Sequence, residues 1–167
     1  MSWVAILMGS ESDWPTMRGC ADVLADLDVG YEVRVTSAHR TPVATAEYVA
    51  DALSRDCGVF VCGAGMAAHL AGAVAAQTVR PVIGVPIASG PLSGFDALLS
   101  TVQMPSGIPV ATVAVGGAKN AGYLAAQIIA AGDAALSGRL GDDRETNRQG
   151  VARQNASVQE DLAGDSG

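Results

Sequence analysis

The sequence predicts an α/β domain: a parallel five-stranded sheet with helices on both faces. Three observations carry this prediction. Short apolar runs alternate with helical stripes five times along the chain. The first run is continuously apolar, as a strand buried on both faces requires. Gly, Ser and Pro mark the points where one pattern gives way to the next. The chain has 167 residues, and one domain spans about 100–200 residues. Five units are too few for a closed eight-stranded barrel.

Val4–Met8 (VAILM) is the first run, stopped by Gly9 and Ser10. A helical stripe of Met17, Cys20, Ala21, Leu24 and Leu27 follows, with Pro15 near its start, where a missing N–H costs nothing. Tyr31–Thr36 alternates and predicts a second strand. Thr41 and Pro42 suit an N-cap and first helical residue. Val43, Ala46, Val49, Ala50 and Leu53 continue that helix. Val59–Cys62 predicts a third strand, ending in Gly63-Ala64-Gly65, and Ala67–Gln77 an Ala-rich helix. Pro81–Val85 is the fourth run, followed by a loop over 86–94 and a helix near Phe95–Val102. Val110–Val115 predicts the fifth strand. Ala121, Leu124, Ala125, Ile128, Ala135 and Leu136 lie on one last long core helix. The pattern is that of a doubly wound, flavodoxin-like sheet of three α/β/α layers. Ligands bind such sheets beyond the carboxyl ends of the strands, where the strand order switches.

The domain is expected to fill residues 1–138. Residues 139–155 are polar and predict a helix lying on a neighbouring subunit, and residues 156–167 a disordered tail. Alanine and glycine are abundant while aromatics make up 4%. A core of small side chains yields little apolar area per residue, which favours association into a homo-oligomer. The net charge of −7 argues against a nucleic-acid partner, which would call for a basic face. Cys20, Cys57 and Cys62 are odd in number and form no CxxC, so buried free thiols are expected rather than disulfides or a zinc site. The N-terminal stretch lacks a basic n-region, and no uninterrupted apolar run is long enough for a membrane span. A cytoplasmic protein is expected.

The strand ends hold the candidate chemistry. Gly9-Ser10-Glu11-Ser12-Asp13 leads into a helix. Its free N–H groups and hydroxyls suit a phosphate or ribose, or equally plain capping by Ser12 or Asp13. It is neither a Walker A loop nor a GxGxxG fingerprint. Ser37-Ala38-His39-Arg40 ends the second strand. Arg40 precedes a helix start, where a cation is unfavourable unless an anion binds between them. His39 stands at the mouth of the sheet, and imidazole is the side chain that carries protons near neutral pH. Both roles compete with a solvated surface Arg and a hydrogen-bonded surface His. His69 sits near the start of the third helix. Two histidines without matched ligands make a weak metal case. The residues alone thus define a small anion-binding cleft with one acid/base candidate.

At four blocks the chain resembles the bacterial-type 5-(carboxyamino)imidazole ribonucleotide mutases of purine biosynthesis. These are MGSESDW at 8–14, SAHRTP at 37–42, GAGMAAHLAG at 63–72, and the run from Gly90 to Gly116. The resemblance covers about residues 4–137. It implies an octamer acting on a ribonucleotide, with no ATP, metal or other cofactor. It implies that a carboxylate moves from the exocyclic nitrogen to ring carbon 4. Ser10, Ser12, Asp13, Ser37, Ala38 and Arg40 then bind substrate, the ribose phosphate above all. His39 carries the proton. Ala64, Gly65, His69 and Leu70 line the region of the imidazole and its carboxylate. Met66 and Ala71 depart from the usual Gly and Pro. Two other readings stay open: a carboxylase using free carbon dioxide, and a non-catalytic nucleotide-binding domain. Arg40 and His69 favour the mutase over the carboxylase.

Overall fold

The computed structural model describes residues 2–164. The chain divides into two compact units, up to Ile129 and from Ala130 onward.

The first unit contains one five-stranded sheet in the order β2-β1-β3-β4-β5. Its strands are β1 (Trp3–Met8), β2 (Tyr31–Val35), β3 (Cys57–Gly65), β4 (Val82–Ile87) and β5 (Ala111–Thr112). Every pairing is parallel. The helices are α1 (Trp14–Asp26), α2 (Pro42–Ser54), α3 (Leu70–Ala75), α4 (Phe95–Val102) and α5 (Ala118–Ala130). This is the predicted three-layer, flavodoxin-like arrangement. β1 and β3 are central, so Val4–Met8 and Val59–Cys62 are buried on both faces, which explains their unbroken apolar character.

On one face Ala5, Leu7, Phe60, Cys62 and Val82 pack with Val49 and Ala52 of α2 and Leu70, Ala71, Val74 and Ala75 of α3. On the other, α1 presents the predicted stripe of Met17, Cys20, Ala21 and Leu24, all buried. Gly63 is required beneath it, since a Cβ there would stand 2.4 Å from Met17 Sδ. α5 lies against α1: a Cβ at Gly122 would come within 2.9 Å of the Cys20 carbonyl oxygen. The three cysteines are buried free thiols. Burial pushes the Cys20 thiol up to about 12 and Cys62 higher still, so they are inert core side chains.

Several local expectations are corrected. The buried stripe of α2 is Thr45, Val49 and Ala52, while Val43 and Ala50 are exposed. Thr45 can be buried because its hydroxyl bonds Thr36 Oγ1 (2.7 Å) and the Thr41 carbonyl (3.0 Å). β3 runs on to Gly65 and α3 starts only at Leu70. Met66 interrupts them with a left-handed φ of 54°. The fifth strand shrinks from the predicted 110–115 to Ala111–Thr112. Val113 N–H still reaches Gly84 O (3.1 Å) and Gly116 N–H reaches Pro86 O (2.8 Å). The chain then turns at Gly116, φ 71°.

The last long helix is also two elements. α5 ends at Ala130, and α6 spans Ala134–Gly164. Asp133 starts α6, its carboxylate accepting from Leu136 N–H (3.0 Å) and its carbonyl from Ser137 N–H (3.0 Å). The helix continues beyond residue 155, where the sequence pattern predicts disorder, as far as Gly164. Residues 165–167 of the predicted tail lie outside the described residues. Among the described residues, no helix is long and apolar enough to cross a membrane.

Candidate active site

β1 and β3 are adjacent, yet the chain leaves them in opposite directions across the sheet. A crevice therefore opens beyond their carboxyl ends. It is a cleft of about 490 Å³. Segments after β1, β2 and β3 build most of it, and Ser89 after β4 completes it.

The β1 segment is a 3₁₀ turn over Glu11–Asp13. Ser10 caps it, rather than Ser12 or Asp13: Ser10 Oγ accepts from Ser12 N–H (3.3 Å), and Asp13 Oδ2 accepts from Ser10 N–H (3.1 Å). This is a reciprocal capping box. Ser12 Oγ adds a bond to Ser10 Oγ at 2.9 Å. Asp13 is buried. Burial is the largest influence on its carboxyl and raises it above the ordinary range. The Ser10 N–H, the Arg40 guanidinium and the Gly9 N–H pull it part of the way back.

The β2 segment is a turn over 37–41, closed by Thr41 N–H to Ser37 O (2.9 Å). Thr41 occupies the N-cap position of α2, but its hydroxyl does not cap the helix. It accepts from Ser37 N–H at 2.9 Å instead. Ser37 Oγ accepts from Arg40 N–H (3.2 Å) and Nε (3.4 Å). Arg40 Nη2 donates to Gly9 O at 2.6 Å. The guanidinium thus ties the end of β2 to the end of β1, and Arg40 lines the cleft.

The β3 segment carries Ala64, Gly65, His69 and Leu70. Gly65 is tightly enclosed: a Cβ would lie 2.0 Å from Ser89 Oγ, 3.1 Å from Ser89 Cβ and 3.2 Å from Ile87 O, so the neighbours would have to shift. His69 is the residue before α3. Its Nδ1 lies 2.7 Å from His39 Nε2, with the two rings edge to face at 82°. One proton holds this bond, and either ring can donate it.

Every residue singled out from sequence lines this one cleft: Ser10, Ser12, Asp13, Ser37, Ala38, His39, Arg40, Ala64, Gly65, His69 and Leu70. Gly9, Met66, Ala67 and Ser89 join them. All four lie within two residues of a strand end; Gly9, Met66 and Ala67 already stand in the motif blocks of the sequence, and Ser89 has no signal beyond that position. Among the described residues, no group of three or more His, Cys, Asp or Glu is placed to hold a metal ion.

The chain is a doubly wound α/β domain whose hydroxyls, guanidinium and paired imidazoles, gathered at its switch point, are groups able to hold a small anion and to exchange a proton. Comparison with known proteins narrows the class. The sequence matches the AIR carboxylase family over residues 3–150, and the chain belongs to that family. A curated relative from Bacillus subtilis, named N5-carboxyaminoimidazole ribonucleotide mutase, is 53% identical over 150 residues, covering 89% of this chain and 93% of its own. A protein of the same name from Mycobacterium tuberculosis is 50% identical over 161 residues, covering 96% and 92%. The crystal structure of Treponema denticola PurE superposes with a TM-score of 0.86 at 29% identity, covering 94% of this chain and 98% of that one. The family expected from the four sequence blocks is therefore the family found.

Proposed function

We propose that this protein is an N5-carboxyaminoimidazole ribonucleotide mutase, an isomerase that moves a carboxylate from the exocyclic nitrogen to ring carbon 4. The carrying observation is that His39 lines the same strand-end cleft as the Ser10–Asp13 turn and Arg40. In this reading Ser10, Ser12, Ser37 and Arg40 take the phosphate end and Asp13 accepts from ribose hydroxyls. Ala38, Ala64, Gly65, His69 and Leu70 surround the base and its carboxylate.

His39 as imidazolium gives its proton to the carbamate nitrogen. The nitrogen–carbon bond breaks, leaving carbon dioxide and aminoimidazole ribonucleotide. Ring carbon 4 attacks the trapped carbon dioxide, and neutral His39 removes the hydrogen from that carbon. One proton leaves and one returns, so His39 is regenerated without a co-reactant. A closed cleft keeps carbon dioxide at high effective concentration beside the ring. The same reading carries a cytoplasmic octamer, with the helix over 139–155 on a neighbouring subunit. Light scattering on the purified protein tests that assembly.

The decisive assay is ATP-free and runs two cuvettes. One holds the nitrogen-carboxylated substrate, the other aminoimidazole ribonucleotide with low bicarbonate. Turnover in the first alone is expected, falling at least about 100-fold in His39→Asn with an unchanged melting temperature. Efficient turnover in the second moves the activity to a carboxylase. Silence in both from folded protein leaves a binding domain.

A further inference from the structure

We infer that Met66, standing in a left-handed conformation at the cleft between the end of β3 and Gly90, is a specificity-determining residue that packs its thioether on the aromatic base of the bound ribonucleotide. The inference rests on the functional reading above and adds a contact to it.

The backbone argument comes first. Met66 has φ 54°, a conformation that glycine adopts freely and a side-chain-bearing residue adopts at a cost. Burial within the single chain does not offset that cost, because Met66 is 58% exposed there. Its backbone is nonetheless held firmly. Ser100 Oγ shares its proton between the Asp96 and Met66 carbonyls (2.5 and 3.2 Å) and accepts from Ala68 N–H (3.2 Å). The side chain therefore starts from a fixed point and lines the cleft. A Cβ at Gly90 would stand 3.9 Å from Met66 Cγ, so the loop after β4 lies beside it.

A flexible, polarisable thioether in that place suits the flat face or edge of an aromatic ring. The phosphate-side residues, Ser10, Ser37 and Arg40, belong to other segments of the cleft. Met66 should thus read the base and not the sugar phosphate. A backbone cost with no burial gain within the chain itself is what a ligand contact would balance.

The test uses the full chain with Met66→Gly, Met66→Ala and Met66→Leu. Calorimetry measures affinity for aminoimidazole ribonucleotide and for ribose 5-phosphate, and the mutase assay gives KM and kcat. Met66→Gly and Met66→Ala should weaken nucleotide binding and raise KM about fivefold. Ribose 5-phosphate affinity should stay within about twofold, and Met66→Leu should recover most of the loss. Met66→Gly should also melt about 2–4 °C higher, since the left-handed cost is removed. Unchanged nucleotide affinity in both the Gly and Ala variants overturns the inference. So does an equal loss for ribose 5-phosphate, which would make Met66 a shaper of the whole cleft. A wild-type protein that neither binds nor converts the nucleotide overturns the functional reading along with it. Wild-type turnover with unaltered variants overturns this inference alone.

Discussion

Replacing Gly65 by alanine tests the geometry of the cleft directly. An added Cβ would meet Ser89 Oγ at 2.0 Å, Ser89 Cβ at 3.1 Å and Ile87 O at 3.2 Å. Rotating the Ser89 hydroxyl away clears the first contact. It leaves the other two, which are tighter than ordinary van der Waals separation. The ends of β3 and β4 must then part by a few tenths of an ångström, and overpacking of this kind costs about 1–3 kcal/mol. For a chain of this size that is a fall in melting temperature of about 2–10 °C. Ser89→Gly removes both Ser89 atoms and keeps only the Ile87 contact. Adding it to Gly65→Ala should therefore recover more than half of the loss, with a coupling of about 1–2 kcal/mol in a double-mutant cycle. Differential scanning calorimetry on the four proteins reads the cycle. A Gly65→Ala protein that melts with the wild type, or a double variant that recovers nothing, would refute the reasoning.

Two further outcomes follow from the β1 and β2 segments. Asp13 is a buried carboxylate whose folded-state value is raised, chiefly by burial. The ionised form therefore costs stability above that value, and the cost disappears as pH falls to the ordinary 3.8 and below. Asp13→Asn keeps an oxygen to accept from Ser10 N–H and removes the charge. Its melting temperature should exceed wild type at pH 7 and converge with it as the pH falls towards 3.8, while ribonucleotide affinity drops. A pH-independent difference in thermal scans would contradict this account. Arg40→Lys keeps the charge but cannot span Gly9 O and Ser37 Oγ with one planar fork. KM should rise about tenfold or more, and steady-state kinetics showing wild-type KM would count against a role for the fork.

The central strands were legible because burial on both faces leaves only one composition open to them. Val4–Met8 and Val59–Cys62 have no solvent side on which to place a polar residue. The edge was less legible. Val110–Val115 is apolar apart from Thr112, yet only Ala111 and Thr112 join the ladder. Composition does not report the bend that follows, because it depends on which carbonyls of β4 the later N–H groups can reach. The phase of α2 was misread for a related reason. Thr45 scores as polar in a hydropathy pattern, but its hydroxyl is satisfied twice within its own neighbourhood, so burying it costs little. The break between α5 and α6 was hidden because Ala135 and Leu136 continue the apolar spacing of α5 across Gly132 and Asp133.

The cleft was legible to the extent that parallel topology dictates where strands end. Once Gly9, Ser37 and Gly63 are placed at carboxyl ends, their polar neighbours must share one edge of the sheet. Residue type then points to His39 and Arg40 as the groups able to move a proton or hold an anion. What topology does not dictate is pairwise contact. That His69 Nδ1 meets His39 Nε2 at 2.7 Å depends on β3 outrunning its apolar core to Gly65 and on Met66 turning the chain back. Neither step has a sequence signature: a strand that ends in Gly-Ala-Gly reads as a loop, and a methionine does not announce a positive φ. The same left-handed turn that hid the imidazole pair from the sequence therefore sets its geometry. A residue at position 66 that relaxed to an extended backbone would carry His69 away from His39, and the two halves of the cleft would no longer share a proton.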